Sequence, residues 1–163
     1  MLDKQGIYDF LNNKGVWFEV TEHEAMFSMN QLPQVALPYP EADSKNLFVR
    51  DDKKRNYYLI TVRGNKRADL RDFQEKNGTR RLSFASSEDL MQMMKVIPGC
   101  VSPFGLLNNE EKNIQFYVDE SFKSGRGLMG IHPNDNTATV WIKMTDLIDI
   151  IKEHGNSVKI VEI

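Results

Sequence analysis

The chain has 163 residues, 40% hydrophobic and 27% charged, with a formal net charge of −2, a composition that fits one folded domain over residues 1–163 and argues against disorder. No apolar run approaches the roughly 18–20 residues that span a bilayer, and the opening residues Met1-Leu2-Asp3-Lys4 carry no charged-then-apolar leader. Cys100 is the single cysteine, which excludes an internal disulfide and a thiolate zinc cluster; together these features point to the cytoplasm and away from a membrane.

Leu2, Ile7, Phe10 and Leu11 recur at helical spacing, with Asp3 placed to cap the first turn and Gly15 just past the last. Residues 16–20, rich in aromatic and β-branched side chains, read as a strand. Residues 22–43, with Pro33, Pro38 and Pro40, read as loop with one short helix around 29–35. Residues 46–50 and 57–62 are two apolar runs joined by a polar turn, the pattern of a hairpin. A helix is expected over 69–76, ending at Asn77-Gly78, then a short strand over 81–84. Ser86 opens a further helix with a capping-box pattern, and Leu90, Met93 and Met94 form its apolar side. Residues 99–105 read as a loop, 114–118 and 137–142 as strands. Thr145 is expected to cap a helix that runs through 151 and stops at Gly155, before a last strand over 158–161. Interspersed strands and helices of this kind make an α+β or mixed α/β domain.

No glycine-rich phosphate loop follows a strand, so nucleotide-cofactor chemistry is not expected. His23, His132 and His154 have no histidine or cysteine partner at ligand spacing, so no metal site is read. His154 closes the last helix, where an imidazolium suits the dipole. No serine stands in a Gly-x-Ser-x-Gly turn, and Cys100 reads as a buried thiol before it reads as a nucleophile. Between Lys45 and Arg81 twelve basic residues stand against five acidic ones, enough for a local basic face on an acidic chain.

Three segments concentrate unusual residue types: Ser44-Lys45-Asn46-Leu47-Phe48-Val49-Arg50-Asp51, Gly99-Cys100-Val101-Ser102-Pro103-Phe104-Gly105, and His132-Pro133-Asn134-Asp135-Asn136-Thr137-Ala138-Thr139-Val140. Together with Lys66-Arg67-Ala68-Asp69-Leu70 and Arg81-Leu82-Ser83-Phe84-Ala85-Ser86, in this order, they resemble the YbaK/ProX-type aminoacyl-tRNA deacylases, whose fold is also inserted in bacterial prolyl-tRNA synthetases as an editing domain. The Lys-Asn-Leu-Phe and Ser-Pro-Phe-Gly-Leu forms are most similar to the free-standing alanyl-tRNA(Pro) deacylases.

The resemblance implies a central mixed, largely antiparallel sheet flanked by helices, and hydrolysis of the ester that joins alanine to the terminal ribose of proline tRNA. It implies no cofactor and no metal. Cysteinyl-tRNA(Pro) or another aminoacyl-tRNA as substrate, or a non-catalytic tRNA-binding regulator of the same fold, stay open beside it. Lys45 matches the family's essential lysine, placed to anchor the terminal phosphate or to polarise the ester. Residues Gly99 to Pro103 match the family's Gly-x-x-x-Pro loop, whose backbone N–H groups can grip the ester or ribose oxygens. His132 matches the histidine beside the aminoacyl pocket, while water activation leans on the substrate's own ribose hydroxyl.

Lys45, Gly99 and His132 are thus the catalytic candidates. Asn46, Cys100, Val101, Ser102, Pro103 and Asn136 are the substrate-binding ones, with Phe27, Ser28, Met29 and Met129 as pocket walls. Glu24-Ala25 stands after His23 where the family usually has a proline-rich dipeptide, which bears on amino-acid preference. The implied partner is the acceptor end of mischarged proline tRNA, with prolyl-tRNA synthetase as an open alternative.

Overall fold

The computed structural model describes residues 1–25 and 37–163. The short helix expected around 29–35 and the pocket candidates Phe27, Ser28 and Met29 lie outside the described residues.

Local signals set the helix ends. In α1 (Lys4–Lys14) the Asp3 carboxylate accepts the Gly6 N–H at 2.8 Å, and Gly15 at φ 69° closes the last turn. Asp69 caps α2 (Leu70–Asn77), and Ser86 and Asp89 form the reciprocal capping box of α3 (Ser87–Met94). Two readings are corrected. The last helix, α4 (Met144–His154), begins before Thr145: the chain passes straight from a strand into the helix, Lys143 is the cap residue with no side-chain bond, and Thr145 lies inside the first turn. Within the expected loop, Pro103–Asn108 form a 3₁₀ turn whose first N–H, on Phe104, is taken by Ser102 Oγ at 2.9 Å.

Eight strands divide between two sheets. β2 (Ser44–Asp51) and β3 (Tyr57–Arg63) are the expected hairpin, and β4 (Leu82–Phe84), β5 (Ile114–Asp119) and β8 (Val158–Val161) complete a five-stranded sheet in the order β4-β2-β3-β5-β8. Its β4-β2-β3 half is antiparallel and its β3-β5-β8 half parallel. β1 (Phe18–Glu22), β7 (Ala138–Lys143) and β6 (Leu128–Ile131) form a second, antiparallel sheet. β1 starts two residues later than its composition suggests: its ladder with β7 runs from Phe18 opposite Ile142 to Glu22 opposite Ala138, and Trp17 lies before it. β6 escaped sequence reading: Leu-Met-Gly-Ile is four residues, buried throughout, and has no alternation to betray it.

The main core fills the space between the sheets and against α1, α3 and α4, with Ile7, Leu59, Phe104, Phe116, Val140 and Ile148 among its members. A smaller cluster of Val49, Ile60, Val62, Phe73 and Tyr117 lies on the other face of the five-stranded sheet, below α2. A third gathers Ala42 and Leu128 around Trp141. A backbone bridge also joins the region before β2 to the three-stranded sheet: Asp43 bridges to Gly130, and Ser44 Oγ donates to the Gly130 carbonyl at 2.6 Å. No helix among the described residues is long and apolar enough to cross a membrane.

Candidate active site

The junction of the sheets is where the three motif segments gather. Asn46 on β2 donates its carboxamide N–H to the Val101 carbonyl at 3.4 Å while its oxygen accepts from Thr61 Oγ1 at 2.5 Å. That pair of bonds orients the amide and ties the start of β2 to the 99–103 loop. Asn134, in a left-handed conformation at φ 60°, donates to the carbonyls of Leu2 at 2.9 Å and Phe104 at 3.4 Å, tying the 132–136 turn to the far end of the same loop.

Lys45 precedes Asn46 on β2. It is half-buried and makes no hydrogen bond or ion pair among the described residues. Strand alternation places it with Leu47 and Val49, the face of β2 that packs on the smaller cluster, and opposite Asn46 and Phe48. Lys45 and the loop therefore do not share a face. β4 pairs with β2 only over Val49–Asp51, so the edge of β2 beside Lys45 is not covered by that strand.

In the loop, Gly99 adopts φ 91°, which a side chain resists. Cys100 is buried and its thiol pKa is pushed up, by burial first, with the Asn136 N–H directed at the sulfur as a smaller opposing effect. A thiol held protonated in this way is a poor nucleophile. Ser102 is fully buried with its hydroxyl engaged in the cap on Phe104, and Pro103 is buried as the first residue of the 3₁₀ turn. These two shape the loop and leave Val101 and Gly99 as its accessible members. Asn136 is buried and engaged. Met129, a pocket-wall candidate, is fully buried in the main core, and alternation along β6 turns it and Ile131 away from the face of Gly130.

His132 and His23, far apart in the chain, come within 6.3 Å between ring centroids. The β1–β7 ladder leads to this: just past it the His23 N–H donates to the Thr137 carbonyl at 2.9 Å, and the His23 ring reaches Thr139, whose Oγ1 lies 2.9 Å from Nε2. His23 Nδ1 meets the Glu24 carbonyl at 2.9 Å and His132 Nδ1 the Ala138 carbonyl at 3.2 Å. A carbonyl only accepts, so both rings donate from Nδ1, and a neutral His132 then presents a bare Nε2 lone pair. Asp43 completes the cluster: burial raises its carboxyl pKa, and its own contact with the Ser44 N–H and the two imidazoles pull the other way. Asp43, His23 and Thr139 were not legible as site residues, since only strand pairing and the junction bring them to His132. No group of three His, Cys, Asp or Glu side chains among the described residues is arranged to hold a metal ion.

Burial, partly offset by the Ala138 carbonyl and Asp43, lowers the His132 pKa. The unfolded chain therefore takes this proton first, and His132 costs stability as pH falls below about 6.5, the ordinary histidine value. His132→Gln is expected to remove that slope, so that variant and wild type, matched at pH 8, diverge in Tm as pH drops toward 5, with the variant higher. Parallel curves would show that His132 titrates normally.

The basic stretch does not make one face. Lys53, Lys54 and Arg55 lie in the turn at the opposite end of the β2–β3 hairpin from Lys45. Arg63 is held by the Glu41 and Ser121 carbonyls, Lys66 by the buried Asp119 at 2.8 Å, and Arg80 by Asp52 at 2.6 Å. Arg67, in the exposed turn after β3, is left at the Lys45 end.

The family model of the aminoacyl-tRNA editing domain matches residues 23–150. Prolyl-tRNA editing protein ProX of Acetoanaerobium sticklandii is 34% identical over 160 residues, covering 98% of this chain and 97% of its own. Prolyl-tRNA synthetase associated domain-containing protein 1 of Mus musculus is 30% identical over 141 residues, covering 85% and 83%. A solved structure described as a candidate trans-editing enzyme for prolyl-tRNA synthetase superposes with a TM-score of 0.69 at 18% identity, over 98% of this chain and 96% of that one, a likeness of fold.

Proposed function

We propose a function from this premise: the chain belongs to the aminoacyl-tRNA editing domain family. It is a prolyl-tRNA editing enzyme, an aminoacyl-tRNA deacylase. Its substrate, on our reading, is alanine esterified to proline tRNA, and the products are free alanine and tRNA with its ribose hydroxyl restored. The observation that carries the site is the Asn46–Val101 bond at 3.4 Å, which joins the start of β2 to the glycine loop beside the His23–His132 pair.

Water adds to the ester carbonyl, the tetrahedral intermediate collapses, and the bond from carbonyl carbon to ribose oxygen breaks. Negative charge gathers on the former carbonyl oxygen, and the backbone N–H groups of Gly99 and Val101 are the donors suited to it, since the Cys100 N–H is taken by the Ile97 carbonyl at 3.1 Å. His132 Nε2 accepts from the substrate's α-ammonium, a role that a neutral imidazole with a fixed tautomer fills and an imidazolium could not. Because Lys45 occupies the other face of β2 from the loop, anchoring the terminal nucleotide's phosphate suits it better than polarising the ester. Asn46 holds the loop in register. Arg67 adds a backbone contact that positions tRNA without reading its sequence.

A pocket that admits a methyl side chain rejects the larger proline by clash, a stronger discrimination than the ~1–3 kcal/mol that a methylene-sized contact supplies. The expected result is rapid release of alanine from alanyl-tRNA(Pro) with prolyl-tRNA(Pro) spared. Rates measured side by side on alanyl, cysteinyl, seryl and prolyl esters of the same tRNA test it. Faster cysteine release would reassign the substrate, and tight tRNA binding with no turnover on any ester would make the chain a binding regulator.

A further inference from the structure

The outer face of the three-stranded sheet has a second feature that the ester chemistry does not use. Thr139, Trp141 and Lys143 of β7 share this face, and the ladders set Gly130 and Glu19 beside Trp141 and Leu128 beside Lys143. Thr139 touches His23. Four residues along β7, about 13 Å at the ordinary strand rise, a cavity of about 360 Å³ opens between Trp17, Tyr39, Arg126, Leu128 and Lys143. The histidine pair and this cavity therefore stand at opposite ends of one sheet face.

Its lining has a definite chemistry. The Trp17 indole is 41% exposed, unusual for so large an apolar group in a chain whose other tryptophan, Trp141, is fully buried. The Arg126 guanidinium lies over the Tyr39 ring, 5.3 Å from its centroid, and that ring rests edge-on against Trp141 at 5.4 Å. Two carboxylates border the cavity, and both are occupied: Glu19 accepts the Tyr39 hydroxyl at 3.0 Å, and Glu41 lies 3.9 Å from Arg126. Lys143 is exposed and has no ion pair among the described residues. An exposed aromatic face with a stacked guanidinium and an unpaired ammonium is the combination that holds single-stranded nucleic acid, the ring taking a base and the cations its phosphate.

We propose that this cavity is a subsite for an unpaired nucleotide of the tRNA's 3′ end, upstream of the esterified adenosine, with the base stacked on Trp17 and the phosphate between Arg126 and Lys143. The proposal rests on the editing reading above. The single-stranded 3′ tail must leave the ester site over a distance of a few nucleotides, and this aromatic and basic cavity lies within that range on the sheet face that carries Thr139.

The test compares two substrates and one binding signal. Trp17→Ala is expected to raise KM for alanyl-tRNA(Pro) roughly tenfold, from the usual worth of one base–aromatic stack, and to leave kcat unchanged. Hydrolysis of 3′-O-alanyl-adenosine, which has no upstream nucleotide, should be unaffected, and Trp17→Phe should recover most of the loss. Arg126→Gln with Lys143→Gln should flatten the salt dependence of the tRNA KM. A short RNA ending in CCA-3′ should quench wild-type tryptophan fluorescence but not that of Trp17→Phe. Equal loss on both substrates would mean that Trp17 acts through the fold, and no loss on either, or no quenching, would leave the cavity without a nucleotide; each result overturns the proposal. If the wild type quenches with RNA yet hydrolyses neither ester, the editing reading fails and the subsite stands.

Discussion

Lys45→Ala is expected to lower kcat/KM on alanyl-tRNA(Pro) by roughly 100- to 1,000-fold, the usual cost of removing one charge that positions or stabilises the reacting group, while leaving the thermal midpoint nearly unchanged. The second half follows from its surroundings: the side chain is half-buried, without an ion pair or hydrogen bond among the described residues, so its truncation strands no partner. An unpaired ammonium at the rim of a site is poised for an anion the chain does not itself contain. Lys45→Arg should keep part of the activity if the role is to hold a phosphate, since a guanidinium is a good phosphate donor. Polarising the ester would need one nitrogen at one place, and the longer, planar head would then fail. Single-turnover rates with excess enzyme, together with filter binding of uncharged tRNA, separate the two: phosphate anchoring predicts weaker binding as well as slower release. Wild-type rates in Lys45→Ala would remove the lysine from the mechanism and the proposed site with it.

How much of this was legible in the sequence depends on how far each feature reaches along the chain. Caps such as Asp3 with Gly15 and Ser86 with Asp89 are settled within one helix, and they were readable as written. The hairpin was readable too, since two apolar runs and a polar turn between them are local, and side chains alternate with period two along each strand. The face that Lys45 occupies is also implicit in that period, once Leu47 and Val49 are known to pack under α2. β6 and the start of β1 were not readable, because each is a strand only where β7 supplies a partner. The same reason hid the histidine cluster. His23 and His132 carry no shared spacing, and it is the β1–β7 ladder and the junction at Gly130 that set them beside Asp43. Residue matches placed the loop and turn of the site, and pairing decided which side chains meet there.

Gly130→Ala is expected to be the most destabilising alanine substitution among the described glycines and to depress activity even in the fraction that stays folded. A Cβ at residue 130 would run into the Trp141 ring, clashing with Cζ3 and lying 2.8 Å from Cε3 and 3.0 Å from Cη2. The ring has little freedom to yield: it is fully buried, its Nε1 donates to Thr21 Oγ1 at 2.9 Å, and Tyr39 packs on it at 5.4 Å. Overpacking of this kind costs about 1–3 kcal/mol where side chains can shift. With the ring pinned, the upper end applies, a fall in Tm of roughly 6–12 °C for a chain of this size. Gly78→Ala is the control: its added Cβ meets nothing and bears only the strain of φ 65°, about 1–2 kcal/mol. The consequence for activity is geometric. The Gly130 carbonyl receives Ser44 Oγ, and its backbone bridges Asp43, so pushing β6 off Trp141 moves the residues on either side of the junction that carries Lys45, Asn46 and His132. Trp141→Leu added to Gly130→Ala should recover part of the loss by opening room above residue 130. Additive losses in that double variant would show that the glycine is required for something other than the indole.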